Sequence, residues 1–232
     1  MKYAAHQPNY LPWIGFFHKM AEVDVFVILD DVQFARGRSY QNRVKIKTPQ
    51  GANWLTQPIL KAGRGFQATN EVEFDSTVDW RSNHVKQIQA NYTRAPHAQH
   101  MLPRLSSWIG ETRGGLCAVN SQLIECVADL LGLRCKIVNS STLGLETTGA
   151  TRIIDIGRSL GADAYFSGSG ASKYQSEEEF DRAGINLVYS TFHEAVRPQL
   201  WGEFAAGLSV IDALLNVGIE ETARLVRADP IA

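Results

Sequence analysis

The chain has 232 residues, of which 44% are apolar and 20% are charged. This is enough apolar material to bury a full core, so the composition excludes a disordered chain. With 23 basic and 24 acidic residues the formal net charge is −1, which provides no bulk attraction to nucleic acid or to an anionic membrane. A local basic patch is still compatible with this balance. The length fits one α/β domain spanning residues 1–232.

The cysteines and the chain start indicate a cytoplasmic protein. Cys117, Cys126 and Cys135 match no zinc or redox motif, and their odd number predicts reduced thiols. Residues 1–6 show no apolar leader, and the longest apolar run, at 23–29, is far too short to span a bilayer. No histidine pair has metal-ligand spacing, and no motif requires a metal or a cofactor.

The predicted elements begin with a β-loop-α-β unit. Residues 2–6 form a strand, 13–22 a helix and 24–31 a mostly apolar strand, typical of one that is buried on both faces. Residues 41–47 and 53–60 flank a Pro-Gln-Gly turn and predict a hairpin.

The rest of the chain alternates helices with strands. A helical segment at about 78–131, which could be an insertion, contains helices at 78–92, 98–110 and 115–131. Further strands are predicted at 134–139, 163–167 and 186–190, and further helices at 148–160, 176–183, 208–216 and 220–227. Ser176 and Glu179 predict a capping box on the second of these helices. The order favours an α/β fold with a mainly parallel, Rossmann-like sheet flanked by helices, plus the inserted hairpin and helical segment.

The segment after the first strand carries the densest set of polar side chains. His6, Gln7, Asn9 and Tyr10 precede Trp13 at the carboxyl end of a strand, where open α/β sheets bind ligands. His6 can accept or donate a proton near neutral pH. The alternative is that these side chains only hydrogen-bond the turn. We favour an active site, with His6, Asn9 and Tyr10 as catalytic candidates and Gln7 as a binding residue.

Two acids end the second predicted strand. Adjacent strand residues point to opposite faces, so at most one of Asp30 and Asp31 should face the same pocket as His6. Asp31 is a candidate general base and Asp30 a binding residue, together with Gln33. The alternative for Asp31 is a turn cap.

The hairpin carries a row of cations. Alternation on a strand places Arg43, Lys45 and Lys47 on one face, preceded by Gln41 and Asn42. A shared face of cations is a plausible phosphate-binding strip, to which we assign Gln41, Asn42, Arg43 and Lys45. The alternative for the row is a solvated outer face of the hairpin, which we favour for Lys47 alone.

A glycine-rich loop at 167–173 follows another strand. Small residues with one lysine can hold phosphate through backbone N–H groups, which makes Ser167, Gly168, Ser169, Gly170 and Lys173 binding candidates. The spacing of its residues matches neither a P-loop nor a dinucleotide-binding fingerprint. The main reason to expect phosphate binding is therefore the position of the loop at the carboxyl end of a strand.

The stretch at 193–203 follows the last predicted strand and is polar and aromatic. Arg197 could bind a carboxylate or a phosphate, and Gln199 lies two residues further on. The alternative for Arg197 is a simple surface ion pair.

Several blocks of the chain resemble the WbqC-like protein family. They are HQPNYLPWIGFF at 6–17, DDVQF at 30–34 and QNR at 41–43. Later blocks with the same resemblance are YFSG at 165–168, GI at 184–185, RPQ at 197–199, LS with the following Asp at 208–212, and NVG at 216–218. The resemblance covers nearly the whole chain, and the opening motif is highly specific.

This resemblance implies a transferase. Members of the family often occur among genes for O-antigen and other surface-polysaccharide synthesis, and related proteins are connected with attaching amino acids, glycine in particular, to an acceptor. The expected partner is a phosphate-bearing small molecule, with a nucleotide-linked amino sugar favoured. Two alternatives stay open: a non-catalytic module that binds a nucleotide sugar or a partner enzyme, and modification of a nucleic-acid base with an amino acid. The neutral net charge argues against nucleic acid without excluding it.

A looser similarity is to HUP-type nucleotide-binding folds, in which a His-containing loop after the first strand opens a helix. It supports a specific hypothesis for the site. Phosphates would lie between Arg43, Lys45, the glycine-rich loop and the helix after Pro12. His6 would be an acid/base or a phosphate partner, and Asp31 would bind or deprotonate an attacking amine.

Overall fold

The computed structural model describes residues 1–35, 37, 39–168, 170 and 175–227. Within this part of the chain the strands are β1 (Lys2–His6), β2 (Val25–Ile28), β3 (Arg43–Thr48), β4 (Gly51–Thr56), β5 (Lys136–Asn139), β6 (Ala164–Ser167) and β7 (Asn186–Tyr189). The helices are α1 (Ile14–Ala21), α2 (Trp80–Tyr92), α3 (Ala98–Glu111), α4 (Leu116–Leu130), α5 (Gly149–Leu160), α6 (Glu177–Arg182), α7 (Val210–Asn216) and α8 (Gly218–Arg227). Short 3₁₀ turns lie between these elements at Thr69–Glu71 and Ser140–Leu143.

The main sheet has the strand order β5-β2-β1-β6-β7, and all of its pairs are parallel. Tyr3 of β1 pairs with Val25 on one side and with Tyr165 on the other, while His6 pairs with Ile28. Because β1 lies between β2 and β6, the segments that follow these three strands leave the sheet at the same edge.

Alternation along the central strands divides the apolar side chains between two cores. Phe26 packs on one face with Phe17 of α1, while Val27 packs on the other face with Ile156 of α5 and Phe180 of α6. The first core also includes side chains of the β3–β4 hairpin and of helices α2, α3 and α4. The hairpin and the helical segment therefore pack against the same face of the sheet as α1.

The expected mainly parallel, Rossmann-like α/β fold and its separate antiparallel hairpin are confirmed. The capping box expected at Ser176 and Glu179 was wrong, because the Ser176 side chain makes no capping hydrogen bond. The three cysteines are free, with Cys117 buried and the other two half-buried. Of the helices in the ranges given above, none has the length and apolar character to cross a membrane.

Candidate active site at the carboxyl end of β1

The polar segment after β1 forms one wall of a cavity of about 470 Å³. The segment at 6–13 provides His6 and Asn9 to this wall, and Tyr40 and Val44 also line the cavity. The cavity lies at the sheet edge where parallel α/β folds bind their ligands. Its volume is within the range of roughly 300–1,000 Å³ that is usual for small-molecule sites.

This wall is held in a strained backbone conformation by distant side chains. Leu11 is fully buried and has a φ of 38°, a left-handed value that is costly for a residue other than glycine. The Ser209 hydroxyl donates to the Leu11 carbonyl at 2.7 Å. The Asn120 amide donates to the carbonyls of Pro8 at 3.0 Å and of Gln41 at 2.6 Å. The fold thereby fixes the polar segment next to the residues that lead into the hairpin.

His6 presents a neutral imidazole. Its Nδ1 lies 2.9 Å from the Gln7 carbonyl oxygen, which can only accept, so Nδ1 carries the proton and Nε2 keeps its lone pair. Burial, and after it the positive charge of Lys19, lowers the pKa of His6 to about 4, against a smaller opposite effect of the Gln7 hydrogen bond. The edge of the ring packs on Phe16 at a centroid distance of 5.0 Å. His6 can therefore accept a proton or a hydrogen bond through Nε2 at neutral pH.

Lys19 of α1 is a buried cation beside His6. The residue is only 8% exposed, and its ammonium makes no hydrogen bond or ion pair with any residue in the described ranges. A Cβ added to Gly168 would lie 3.7 Å from its Nζ. Burial lowers the pKa of Lys19 to about 8, so at neutral pH the group is still mostly charged. The glycine-rich loop therefore approaches this ammonium closely at Gly168.

Tyr10 contributes its ring to the cavity wall but not its hydroxyl. The hydroxyl donates to Nδ1 of His84 at 2.9 Å, and Nε2 of His84 in turn donates to the Thr56 carbonyl at 3.1 Å. Burial raises the pKa of Tyr10 well above its ordinary value and lowers that of His84 to about 4. This arrangement corrects the expectation of a catalytic Tyr10, because its hydroxyl is committed to a structural link.

Asn9 and two aromatic side chains complete the accessible part of the cavity. Asn9 is half-buried, and its amide has no hydrogen-bond partner in the part of the chain that the structure covers. Trp13 and Tyr40 are 38% and 47% exposed. Gln7 is less available, because its Nε2 donates to the Gln33 carbonyl at 3.3 Å. An amide and two aromatic surfaces thus remain for a ligand.

The two acids after β2 lie away from this cavity. The Ser140 hydroxyl is within hydrogen-bond distance of both Asp30 and Asp31, and Arg152 forms an ion pair with Asp31 at 2.5 Å. Asp31, Gln33 and Arg152 line a separate groove of about 490 Å³. β2 ends at Ile28, so strand alternation does not extend to residues 30 and 31, and both carboxylates approach Ser140 instead of pointing to opposite faces. Asp31 does not face His6.

The cations of the hairpin do not face the cavity either. Val44 lines it, so alternation directs its neighbours Arg43 and Lys45 to the other face of β3. There the Arg43 guanidinium and the Lys45 ammonium lie 4.2 and 5.1 Å from the ring centroid of Trp54. Lys47 is not solvated, which corrects that expectation. Its buried ammonium donates to Gln199 at 3.1 Å and to backbone carbonyls of residues 202 and 203.

Gln41 and Asn42 act within the scaffold. The Gln41 carbonyl oxygen of the side chain accepts from the Ala35 N–H at 3.0 Å and from the Ser39 hydroxyl at 3.1 Å. Both of these residues line the cavity, so Gln41 positions its far wall. The Asn42 amide donates to the Gln57 carbonyl at 3.1 Å and is buried away from the cavity.

The glycine-rich loop is placed at the expected edge. Ser167 is fully buried and donates to the Gln175 side chain at 2.8 Å, while Gly168 is half-buried beside Lys19. Gly170 is exposed. The candidates Ser169 and Lys173 lie outside the described residues.

Arg197 and Gln199 belong to a buried network around Asp212. Arg197 forms ion pairs with Glu194 at 2.7 Å and with Asp212 at 3.4 Å, and Gln199 donates to Asp212 at 2.8 Å. The Tyr92 hydroxyl also donates to Asp212 at 3.0 Å. Neither the surface ion pair nor the phosphate contact considered for Arg197 fits this arrangement, because the guanidinium is enclosed and already paired.

Comparison with known proteins assigns the chain to a family. Its residues 7–224 match the WbqC-like protein family. The chain belongs to this family. An uncharacterized protein of Mycobacterium tuberculosis, Rv1507c, is 34% identical over 222 residues, which cover 94% of this chain and 95% of that protein. No solved structure matches.

The geometry of this WbqC-like chain adds residues that its sequence did not single out. Lys19 lies three residues after Phe16, and this helical spacing placed it on the buried face of α1, a signal that could have marked it. His84 and Asn120 carried no such signal, because their roles depend on partners far along the chain. Ser209 belongs to the block at 208–212 that resembles the family, but no role was predicted for its side chain. In the ranges described, no three His, Cys, Asp or Glu side chains come together as a metal site.

Proposed function

We propose that this chain is a transferase that attaches an amino acid, glycine in the first place, to a nucleotide-linked amino sugar. The acceptor would bind in the cavity at the carboxyl end of β1, and the product would serve surface-polysaccharide (O-antigen) synthesis. The observation that carries the proposal is the neutral His6 imidazole, whose Nε2 has a free lone pair at the wall of a cavity of about 470 Å³. A related acyl group or another phosphate-bearing acceptor would use the same site.

The chemistry requires a base and a donor of hydrogen bonds. The amine of the sugar attacks the carbonyl carbon of an activated aminoacyl donor, such as an acyl adenylate or a thioester. The new C–N bond forms, the leaving group departs with the electron pair of its bond to carbon, and the amine proton passes to Nε2 of His6. The free amide of Asn9 can donate to the oxyanion that develops on the carbonyl.

The low pKa of His6 is compatible with this role once the substrate is bound. Burial, and after it the charge of Lys19, opposes protonation of His6 and lowers its pKa to about 4. A phosphate group next to Lys19 would offset the smaller of these two effects and so raise the pKa of His6, which strengthens it as a general base.

The aromatic surfaces of the cavity suit a nucleotide-linked acceptor. Trp13 and Tyr40 are unusually exposed for their size and lie on the cavity wall. Rings of this kind provide a large apolar contact area for a nucleobase or for the apolar face of a sugar.

The test is a transfer assay with purified protein. The protein is incubated with a nucleotide-linked amino sugar and either glycine plus ATP or a glycyl thioester, and the acceptor is analysed by mass spectrometry. We expect a product that carries one glycyl group, with His6→Ala reducing turnover by about a hundredfold or more, as is typical for loss of a general base. His100→Ala, at an exposed position on α3, is the matched control and should be neutral.

Absence of a glycyl product with every donor would refute the transfer. If the nucleotide sugar then still bound with micromolar affinity in calorimetry, the chain would be a non-catalytic binding module. In such a module Nε2 of His6 would accept a hydrogen bond from the ligand instead of a proton. Unchanged turnover of His6→Ala would remove His6 from catalysis.

A further inference from the structure

Lys19 is a buried cation on the face of α1 that packs against the sheet. Its neighbours Phe17 and Met20 are fully buried, and Phe16 nearly so, so this face of α1 packs against the sheet. Yet the Lys19 ammonium lies close to Gly168, which follows β6. It also acts electrostatically on His6, which ends β1. The charge is therefore held between the ends of two adjacent strands.

The other buried lysine and arginine residues in the described ranges have oxygen partners. Lys47 binds Gln199 and two backbone carbonyls. Arg152 pairs with Asp31, and Arg197 pairs with two carboxylates. Lys19 has no partner of this kind within those ranges. An unpaired buried charge costs several kcal/mol, and an anionic ligand that supplied the counter-charge would remove that cost.

The backbone at Gly168 borders the Lys19 ammonium. Gly168 has no side chain, and a Cβ there would extend to within 3.7 Å of the Lys19 Nζ. Both Gly168 and His6 are half-buried, so the ammonium lies just beneath the surface of the sheet edge. His6 is neutral at neutral pH and adds no competing cation.

We propose that Lys19 is the anion-binding residue of the site, with its ammonium and the adjacent backbone at Gly168 holding a phosphate group of the ligand between the ends of β1 and β6. This identification of the ligand rests on the proposed function, whereas the anion site itself does not. It replaces Arg43 and Lys45, which face Trp54 on the other side of the hairpin.

The probe is inorganic pyrophosphate, titrated by calorimetry at constant ionic strength in a chloride buffer. The variants are Lys19→Met, which removes the charge and keeps the length of the side chain, and Lys19→Arg, which keeps the charge. Lys86→Met, at an exposed position of α2, is the control. We expect saturable binding to the wild type, to Lys86→Met and to Lys19→Arg. Binding to Lys19→Met should be about ten- to a hundredfold weaker, as expected for loss of a charged hydrogen bond.

A second readout separates this role from a structural one. In the absence of anion, Lys19→Met should unfold at a higher urea concentration than the wild type, because the unpaired buried charge is gone. Added pyrophosphate should stabilise the wild type and reduce the difference between its urea midpoint and that of Lys19→Met. Equal pyrophosphate affinity in Lys19→Met and the wild type, or no saturable binding to the wild type, would overturn the proposal.

The two proposals can fail independently. Pyrophosphate binding that depends on Lys19, without any glycyl transfer, supports the anion site and refutes the reaction. Glycyl transfer in which Lys19→Met keeps the KM of the wild type for the nucleotide sugar supports the reaction and refutes the role of Lys19.

Discussion

The hydroxyl of Tyr10 donates a hydrogen bond of 2.9 Å to Nδ1 of His84, a residue of α2 that lies 74 positions away in the chain. The same imidazole donates through Nε2 to the Thr56 carbonyl at the end of β4. One buried histidine thus ties the wall of the candidate site to both the hairpin and the helical segment. The shape of the cavity depends on this contact, even though neither polar group is presented to a ligand.

Tyr10→Phe tests that assignment. The variant keeps the ring in the cavity wall but leaves Nδ1 of His84 as a buried acceptor without a donor, so we expect a loss of about 1–3 kcal/mol in the free energy of unfolding. Turnover should change little. Urea denaturation and the transfer assay together provide the measurement. A variant with unchanged stability and lost turnover would restore Tyr10 as a proton carrier.

Acidification should destabilise the protein through its two neutral histidines. The folded pKa values of His6 and His84 are about 4, below the usual 6.5, so between pH 6.5 and 4 the unfolded chain binds more protons. This contribution to stability is complete above pH 6.5 and is lost as the pH falls toward 4. For His84, which is almost fully buried, the loss should reach roughly 2 kcal/mol by pH 5.

Urea midpoints at several values between pH 7 and pH 5 measure this slope. His84→Gln should show a smaller slope than the wild type, whereas His100→Gln, at an exposed position, should show the same slope as the wild type. An unchanged slope in His84→Gln would mean that His84 is not held neutral.

Gly15 is required by the position of Trp13. A Cβ at residue 15 would lie 2.4 Å from two atoms of the rigid Trp13 indole, so Gly15→Ala must displace this ring from the cavity wall. We expect the affinity for the nucleotide sugar to fall about tenfold, the scale of one aromatic contact, and the tryptophan fluorescence to change.

The matched control is Gly110→Ala in α3, where an added Cβ meets nothing within 4 Å. This variant should gain roughly 0.5–1 kcal/mol in stability from helix propensity and keep the affinity of the wild type. If both variants bind the nucleotide sugar equally well, Trp13 does not contact the ligand.

Asp31→Asn distinguishes a structural acid from a catalytic one. The change removes the charge that pairs with Arg152, which keeps its hydrogen bonds to the carbonyls of Leu145 and Thr147. We therefore expect a moderate loss of about 1–2 kcal/mol in unfolding free energy and a much smaller effect on turnover than that of His6→Ala. Stability is measured by urea denaturation, and a turnover defect as large as that of His6→Ala would identify Asp31 as a base.

The order of the elements and the location of the candidate site could be predicted from the sequence. The apolar run of β2 and the polar cluster directly after β1 are local signals, and the carboxyl ends of neighbouring parallel strands meet at one edge. His6 and Asn9 therefore reach the cavity wall as expected. Hydrophobic periodicity and the order of the elements along the chain are sufficient for these two predictions, because both are read from residues close in sequence.

Only the tertiary structure decided what each polar side chain is free to do. Asp31 finds Arg152 at a distance of 121 positions along the chain, and Tyr10 finds His84. Such pairs depend on how remote segments pack, which no local pattern encodes. The environment of Lys19 is less predictable still, because whether a counter-charge lies near the ammonium depends on all the elements around it. The polar loop marked the candidate site in the sequence, and packing buried Lys19 beside it with no oxygen partner in the described ranges.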